Sequence, residues 1–457
     1  MDRLSAAGAQ RPLVLFDLSR LVARVARPAP TGIDRVELAY AEFLLAQRDW
    51  EVRFVACAGD RIKALPDTLA RALVGWVGRT WVGTEAGGAT AAGLARVAGF
   101  LGVAVPPITV QDTVAQPDDA AVPLAVRLAI DPIGRLLQNP VRLWAIGALE
   151  PVIAAAAAAG RPVVYLHVSH HNLQKAEPFR RLKASGPVKV AILVHDLIPI
   201  EYPEFSRPGD DVKHAARMAT VAEVADLVIV NSADTGRRFA AHLARTGAPR
   251  SPEVAVAHLG IPDPHGLGGG FAAGGPPYFA VVSTIEARKN HYLLLNLWRT
   301  LDERLGAAAP KLVVVGRRGW EVENVIDLLE RSPAAKAHVL EAGSLSDQAL
   351  ATVLAGARAV LMPSLVEGYG LPVVEALSTG VPVIASDIPV HAEVGQGVAE
   401  LIDPLDGPAW IGAILDYAAP ESPRRAAQVA RMAGYVTPTW TAHFEIARGA
   451  LVRLMGG

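Results

Sequence analysis

The chain has 457 residues, 51% hydrophobic and 19% charged, with 44 basic against 45 acidic side chains. That length exceeds what one hydrophobic core serves and predicts two domains, while the balanced charge excludes the basic field of a nucleic-acid binder. The single cysteine, Cys57, excludes an internal disulfide and a cysteine-rich metal site.

Met1–Arg11 is polar and small and does not read as a secretory signal. The longest apolar stretch, Pro151–Gly160, is mostly alanine and too short to span a bilayer, so a cytoplasmic protein is expected. Strand-like runs at Leu13–Leu18, Val52–Ala56, Val163–His167, Val190–Val194 and Leu227–Asn231 alternate with helical patterns, as in doubly wound α/β domains. A helix over Asp34–Ala46 follows from Val36, Ala39, Tyr40, Phe43 and Leu44 at three-to-four spacing. Between Ile62 and Val122 the alanine, glycine and proline content fixes no elements. Arg180, Arg181 and Lys183 beside Phe179 and Leu182 form a basic-apolar cluster that suggests peripheral contact with an anionic membrane. A solvated helix face fits it equally.

Residues 263–277 are rich in glycine and proline and precede a strand instead of following one, so they read as a hinge and not as a nucleotide loop. The alternation then repeats, with strands at Tyr278–Val282, Lys311–Gly316, His338–Glu341, Ala359–Pro363 and Val381–Ser386 and a helix over His291–Glu303. The last segment, Thr439–Met455, carries a helical apolar stripe with no strand after it, and is expected to pack back across the domain junction.

The chemistry-bearing residues stand at strand ends. Glu367-Gly368-Tyr369-Gly370-Leu371-Pro372-Val373-Val374-Glu375 reads as a glycine loop opening a helix, with Pro372 at its start and Gly380 at its end. Bare backbone N–H groups and a positive helix terminus suit a diphosphate there. Two carboxylates would repel one, so Glu367 in the loop and Glu375, facing outward, are expected to accept from sugar and ribose hydroxyls. A capped helix with two solvated glutamates is the plain alternative. Ser283–Asn290 puts Arg288 and Lys289 at a strand end and helix start, a phosphate clamp in which Lys289 is expected to be solvated and structurally dispensable. Gly316–Trp320 ends the next strand, with Arg317 and Arg318 as rim charges. Upstream, His195-Asp196 ends one strand and His167, Ser169, His170, His171 and Asn172 end another. The neighbouring histidines would diverge and lack a completing ligand, so loop contacts or acceptor binding are expected over zinc. Thr31-Gly32-Ile33-Asp34-Arg35 lets a ligand approach the backbone at Gly32. The chain contains no Asp-x-Asp pair, P-loop or Gly-x-Ser-x-Gly motif.

Ser283–Asn290, Leu312–Trp320, Gly343–Asp347 and Glu367–Glu375, in this order and spacing, resemble the retaining glycosyltransferases of family 4, which have the GT-B fold. Thr31–Val36, His195–Phe205 and Ala225–Ser232 resemble the bacterial mannosyltransferases of polysaccharide assembly within it. The resemblance implies two Rossmann-like domains facing across a cleft: an acceptor domain (1–262), the hinge (263–277), a nucleotide-sugar domain (278–438) and a C-terminal crossover helix (439–457). It implies His195, Lys289 and Glu367 as catalytic residues. Donor contacts would come from Gly32, Thr284, Arg288, Ser344, Gly368, Tyr369, Gly370, Leu371 and Glu375, and acceptor contacts from His170, His171 and Asp196. Thr284 departs from the pattern, standing where many relatives have a diphosphate-clamping arginine that Arg288 would replace. No metal and no cofactor is implied. The partners are a nucleotide sugar, with mannose favoured, and a glycan or lipid-linked glycan acceptor, with no nucleic acid. A sugar phosphorylase, an epimerase or a non-catalytic nucleotide-sugar-binding subunit remains open on the same architecture.

Overall fold

The structure, a computed structural model, describes residues 11–25, 30–83, 88–105, 147–261, 270–271, 274–343 and 345–456. The first sheet comprises β1 (Leu13–Asp17), β2 (Glu51–Ala58), β3 (Arg61–Ala64), β4 (Val163–His167), β5 (Val188–Val194), β6 (Leu227–Val230) and β7 (Glu253–Val256), in the order β3-β2-β1-β4-β5-β6-β7. Only β2–β3 pairs antiparallel. The second sheet is fully parallel: β8 (Tyr278–Val282), β9 (Lys311–Val315), β10 (Val339–Gly343), β11 (Val360–Met362), β12 (Val383–Ser386) and β13 (Glu400–Ile402), in the order β10-β9-β8-β11-β12-β13. β1, β4, β6, β11 and β12 are buried at every residue, which follows from helices covering both sheet faces and explains their unbroken apolar runs.

The sequence pattern missed β3, β7 and β13. These are edge strands, three or four residues long and largely exposed or half-buried, so no apolar run marks them. Helices at Asp67–Gly83 and Gly88–Leu101 occupy part of the stretch the sequence left unassigned; residues 106–122 of it, and most of the glycine-rich segment, lie outside the described residues.

Helices α1 (Ser19–Arg24) and α2 (Gly32–Ala46) follow β1, α3 (Glu177–Ala184) follows β4, α4 (Asp210–Val224) follows β5 and α5 (Ala233–Thr246) follows β6. In the second half α6 (His291–Leu305) follows β8, α7 (Asp347–Ala355) β10, α8 (Leu371–Ser378) β11 and α9 (Pro389–Gly395) β12; α10 (Trp440–Gly456) ends the chain. Strand order reverses between β1 and β4 in one sheet and between β8 and β11 in the other. Crevices at the carboxyl ends of those strands are where open α/β sheets take ligands. α10 packs back on the first half. His443 meets Tyr40 Oη through Nε2 at 2.8 Å and the Ala257 carbonyl through Nδ1 at 3.1 Å, and Phe444 stacks on Phe43 with centroids 4.1 Å apart.

The halves are docked by polar contacts. The Glu393 carboxylate on α9 accepts from the N–H groups of Ala233 (2.6 Å) and Asp234 (3.1 Å) at the start of α5, and lies 2.7 Å from His258 Nε2. Ser232 and Thr235 hydroxyls donate to the Gly368 carbonyl at 3.3 and 3.2 Å, and Tyr369 Oη donates to the Leu259 carbonyl at 2.9 Å. Glu393→Ala should therefore weaken docking by about 1–3 kcal/mol, the usual worth of charge-assisted bonds. Small-angle scattering should show a larger radius of gyration, and an unchanged radius would mean the other contacts suffice.

The basic cluster on α3 is matched by carboxylates. Phe179 and Leu182 are in the core. Arg180 pairs with Glu223 at 2.5 Å, Arg181 with Glu177 at 2.8 Å and Asp60 at 3.0 Å, and Lys183 with Asp226 at 2.8 Å. The cluster is neutralised by its neighbours and its apolar members point inward. Among the described residues no helix is long and apolar enough to cross a membrane.

Candidate active site

The loop after β11 and the loop after β8 meet at Glu367. Arg288 Nη1 donates to Glu367 Oε2 at 2.7 Å, Ser364 Oγ donates to Oε1 at 2.8 Å, and Lys289 Nζ donates to Oε1 as well. Glu367 and Lys289 are only 7% and 8% exposed, so the expectation of a solvated, dispensable lysine is wrong: a short 3₁₀ turn, Ala287–Lys289, aims the side chain inward at the carboxylate. Burial by itself raises the Glu367 pKa, but Lys289 and then Arg288 hold it well below the usual carboxylate range. Burial pushes Lys289 downward, with Glu367 opposing. Arg288 is also held by Glu286 at 3.1 Å, so its guanidinium serves these carboxylates. Thr284 is exposed. Its loop is clasped by the β9 loop, since a Cβ on Gly316 would lie 1.8 Å from the Ser283 carbonyl oxygen. Arg318 pairs with Glu330 at 2.6 Å and Glu341 at 2.8 Å.

Gly370, at φ +91°, makes the left-handed turn into α8, with Pro372 in the first turn and no side chain capping the N-terminus. The first-turn N–H groups therefore remain available to an anion. Below the turn, the His391 ring of α9 lies 3.2 Å from where a Gly370 Cβ would be, donates through Nδ1 to the Ser386 carbonyl, and buries Nε2 without a partner. Glu375 is half-buried instead of facing outward. Burial raises its pKa, against the pull of Arg35 and with the push of Asp347. Arg35 and Asp347 bridge α2 and α7 at 3.2 Å. Ser344 lies outside the described residues.

Opposite stands the end of β5. A Cβ on Gly368 would sit 2.8 Å from the His195 carbonyl oxygen and 3.0 Å from Asp196 Cβ, so only glycine lets the loop pass. His195 is buried; its Nε2–H donates to the Val168 carbonyl at 2.8 Å, and its own carbonyl accepts from Asn231 Nδ2 at 3.0 Å. Burial lowers its pKa to about 4 despite the Val168 bond and Asp196, so a neutral, oriented ring stands at the cleft. Its backbone N–H donates to His170 Nε2 at 3.2 Å. Asp196 Oδ1 accepts from the Ile198 N–H at 3.1 Å. Burial lowers the pKa of half-buried His171 to about 4. The histidines do diverge: His167 turns to Tyr165 and Asp17, His170 to His195 and His214. Among the described residues no group of three or more His, Cys, Asp or Glu could hold a metal ion. Gly32 opens α2, and its absent Cβ leaves Leu371 Cδ1 at 3.5 Å. A capping box between Thr31 and Asp34 fixes this turn, and Arg20 pins it through Asp34 at 2.5 Å.

The structure thus brings Gly32, His195, Asp196, Glu367, Gly368 and Leu371 together across the cleft, with Lys289 and Arg288 behind Glu367. Sequence reasoning missed Glu393, Ser232, Thr235, His391 and Arg20. Only Ser232, an N-cap followed by a helical pattern, carried a local signal.

Residues 270–405 match the family Glycosyl transferases group 1. The chain is 30% identical over 235 residues to the serotype-specific mannosyltransferase WbdA of Escherichia coli, the match covering 47% of this chain and 28% of that protein. It is 35% identical over 129 residues to O-antigen chain mannosyltransferase B of Escherichia coli, covering 28% and 33%. The chain thus spans a third or less of these relatives. Sucrose-phosphate synthase of Thermosynechococcus elongatus superposes over 97% of this chain and 98% of its own, with TM-score 0.57 at 16% identity, a likeness of fold. The chain is an α/β protein with the two-sheet GT-B architecture, its residues 270–405 match the glycosyl transferases group 1 family, and over part of its length it is similar to bacterial mannosyltransferases.

Proposed function

We propose that this protein is a retaining, metal-independent glycosyltransferase that moves mannose from a nucleoside-diphosphate sugar, GDP-mannose by preference, to a glycan or lipid-linked glycan. The reading rests above all on the open, glycine-led N-terminus of α8 lying against the His195–Asp196 strand end, with Glu367 and its two cations alongside. The likeness to two mannosyltransferases supports the choice of sugar.

Breaking the sugar–phosphate bond puts negative charge on the leaving diphosphate and positive character on the anomeric carbon. The α8 terminus and Lys289 stabilise the first, while Glu367, anchored by Arg288, faces the second. Neutral His195 accepts a hydrogen bond from the transferred sugar. Glu375 accepts from the ribose. With no carboxylate free to act as a covalent nucleophile, the acceptor attacks from the leaving-group side, and the departing phosphate oxygen takes the acceptor hydroxyl proton. The docked domains exclude water and limit donor hydrolysis. The place of work is the cytoplasm.

The test is a panel of nucleotide sugars. GDP-mannose should raise the melting temperature through mass action and be turned over, and both effects should persist in excess EDTA. A UDP-sugar doing so instead would move the donor assignment. No stabilisation by any nucleotide sugar would end the reading, and activity lost on chelation and restored by zinc would end its metal independence.

A further inference from the structure

Arg217, on α4, is held close to the cleft and has no counter-ion among the described residues. His214, one turn earlier, donates through Nε2 to the Asp196 carbonyl at 3.0 Å, so its Nδ1 is a bare acceptor, and Arg217 Nη1 lies 3.4 Å from it. That contact orients the guanidinium without neutralising it. Nε of Arg217 is buried and has no hydrogen-bond partner, and among the described residues the polar contact of its guanidinium is with neutral His214 and not with a carboxylate. Asp196 and Asp210 act on it only at longer range, and burial together with Arg20 weakens its hold on its proton. By contrast Arg20 is spent on Asp34 and Thr31.

Among the described residues the surroundings add donors and no anion in contact. His170 lies edge-on to His214 at 4.9 Å and to His195 at 5.2 Å. His171 feels both Arg20 and Arg217, and burial keeps it neutral, so it keeps an N–H to offer. These groups come from the loop after β4, the end of β5 and α4, on the half opposite the glycine loop. A half-buried guanidinium with no carboxylate in contact among the described residues leaves its Nη groups to the oxygens of a phosphate.

We propose, on the glycosyltransfer reading above, that Arg217 and His171 form an anion subsite that recognises a phosphate group on the acceptor. The phosphate is either a monoester on the acceptor sugar or the diphosphate of a lipid carrier. The subsite selects a charged acceptor over a neutral glycan and is separate from the donor cradle at α8.

Binding tests this without relying on turnover. Wild-type protein, Arg217→Gln and Lys289→Met are titrated with methyl α-mannoside, mannose 6-phosphate and an alkyl diphosphate-linked sugar, with GDP binding followed on each. Wild type should bind at least one phosphorylated probe tenfold or more tighter than the neutral sugar. Arg217→Gln should lose that preference and keep GDP, while Lys289→Met should keep the preference. Which probe responds identifies the source of the phosphate. Equal binding of neutral and phosphorylated probes by wild type overturns the proposal, as does a preference lost in Lys289→Met but kept in Arg217→Gln, which would assign the phosphate to the donor cradle. Loss of GDP binding together with the preference in Arg217→Gln overturns it too. Failure of GDP and every nucleotide sugar to bind wild type would instead strike the donor reading, and the preference for phosphate would still be read from the acceptor probes.

Discussion

Lys289→Met should lower kcat/KM about 10²–10³-fold, the effect of removing one charge-stabilising donor worth about 2–4 kcal/mol. It should also destabilise the fold by about 3–5 kcal/mol, because it removes one partner of a buried pair and leaves Glu367 with Arg288 and Ser364 alone. The two effects separate in the double variant Lys289→Met/Glu367→Gln. Removing the carboxylate as well should restore most of the stability, since the uncompensated charge is gone, and none of the activity. Urea unfolding and transfer assays on the four proteins of the cycle measure both. pH supplies a check with a fixed sign. The folded-state pKa of Glu367 lies below its ordinary 4.5, so its contribution is complete above about pH 4.5 and is lost as pH falls toward the folded value. Wild type should therefore lose stability more steeply below pH 4.5 than Lys289→Met does. Wild-type stability and turnover in Lys289→Met would remove the residue from both roles.

Glu37→Gln should stabilise the protein above neutral pH. Glu37, on α2, is fully buried, accepts from the Leu21 N–H at 3.0 Å through Oε1, and leaves Oε2 without a partner. Burial, with Asp17 adding to it and the Leu21 bond and Arg20 opposing, raises its pKa from 4.5 to about 8. The folded chain thus holds a proton that the unfolded chain gives up. Stability from this site is full below pH 4.5 and falls as pH rises through 8, on the order of 3–5 kcal/mol in all. Glutamine keeps the neutral shape and has no such loss. The melting temperatures of the two proteins should be close at pH 5 and differ by several degrees at pH 8–9, with the variant higher. Parallel profiles would mean that Glu37 is ionised in the folded protein and that an unseen partner compensates it.

Much of the fold was legible in the chain. Parallel strands buried on both faces need long apolar runs, so Val163–His167 and Tyr278–Val282 read directly from sequence, and Gly370 with Pro372 marked the turn into α8. Edge strands such as Glu253–Val256 bury little and escaped. The E-x7-E loop stood out because its glycines are needed for the turn and for close approach. Glu393 did not, since a lone helix glutamate becomes meaningful only when an amide pair from a residue 159 or 160 positions away is brought to it. The pairing of Arg180 and Lys183 was hidden for the same reason: their partners Glu223 and Asp226 lie more than forty positions on.

The sequence by itself determined two α/β halves, the strand ends that bear polar and glycine residues, and the helix that returns across the junction, because these depend on periodicity and local backbone preference. Only the tertiary structure decided which charges are compensated. Lys289 became half of a buried pair and Glu37 a protonated acid through neighbours that folding supplies, and Arg217 has no counter-ion among the described residues. The free energy of a charge is set by its distance to opposite charge and to water, and neither distance is written in the order of residues along a chain.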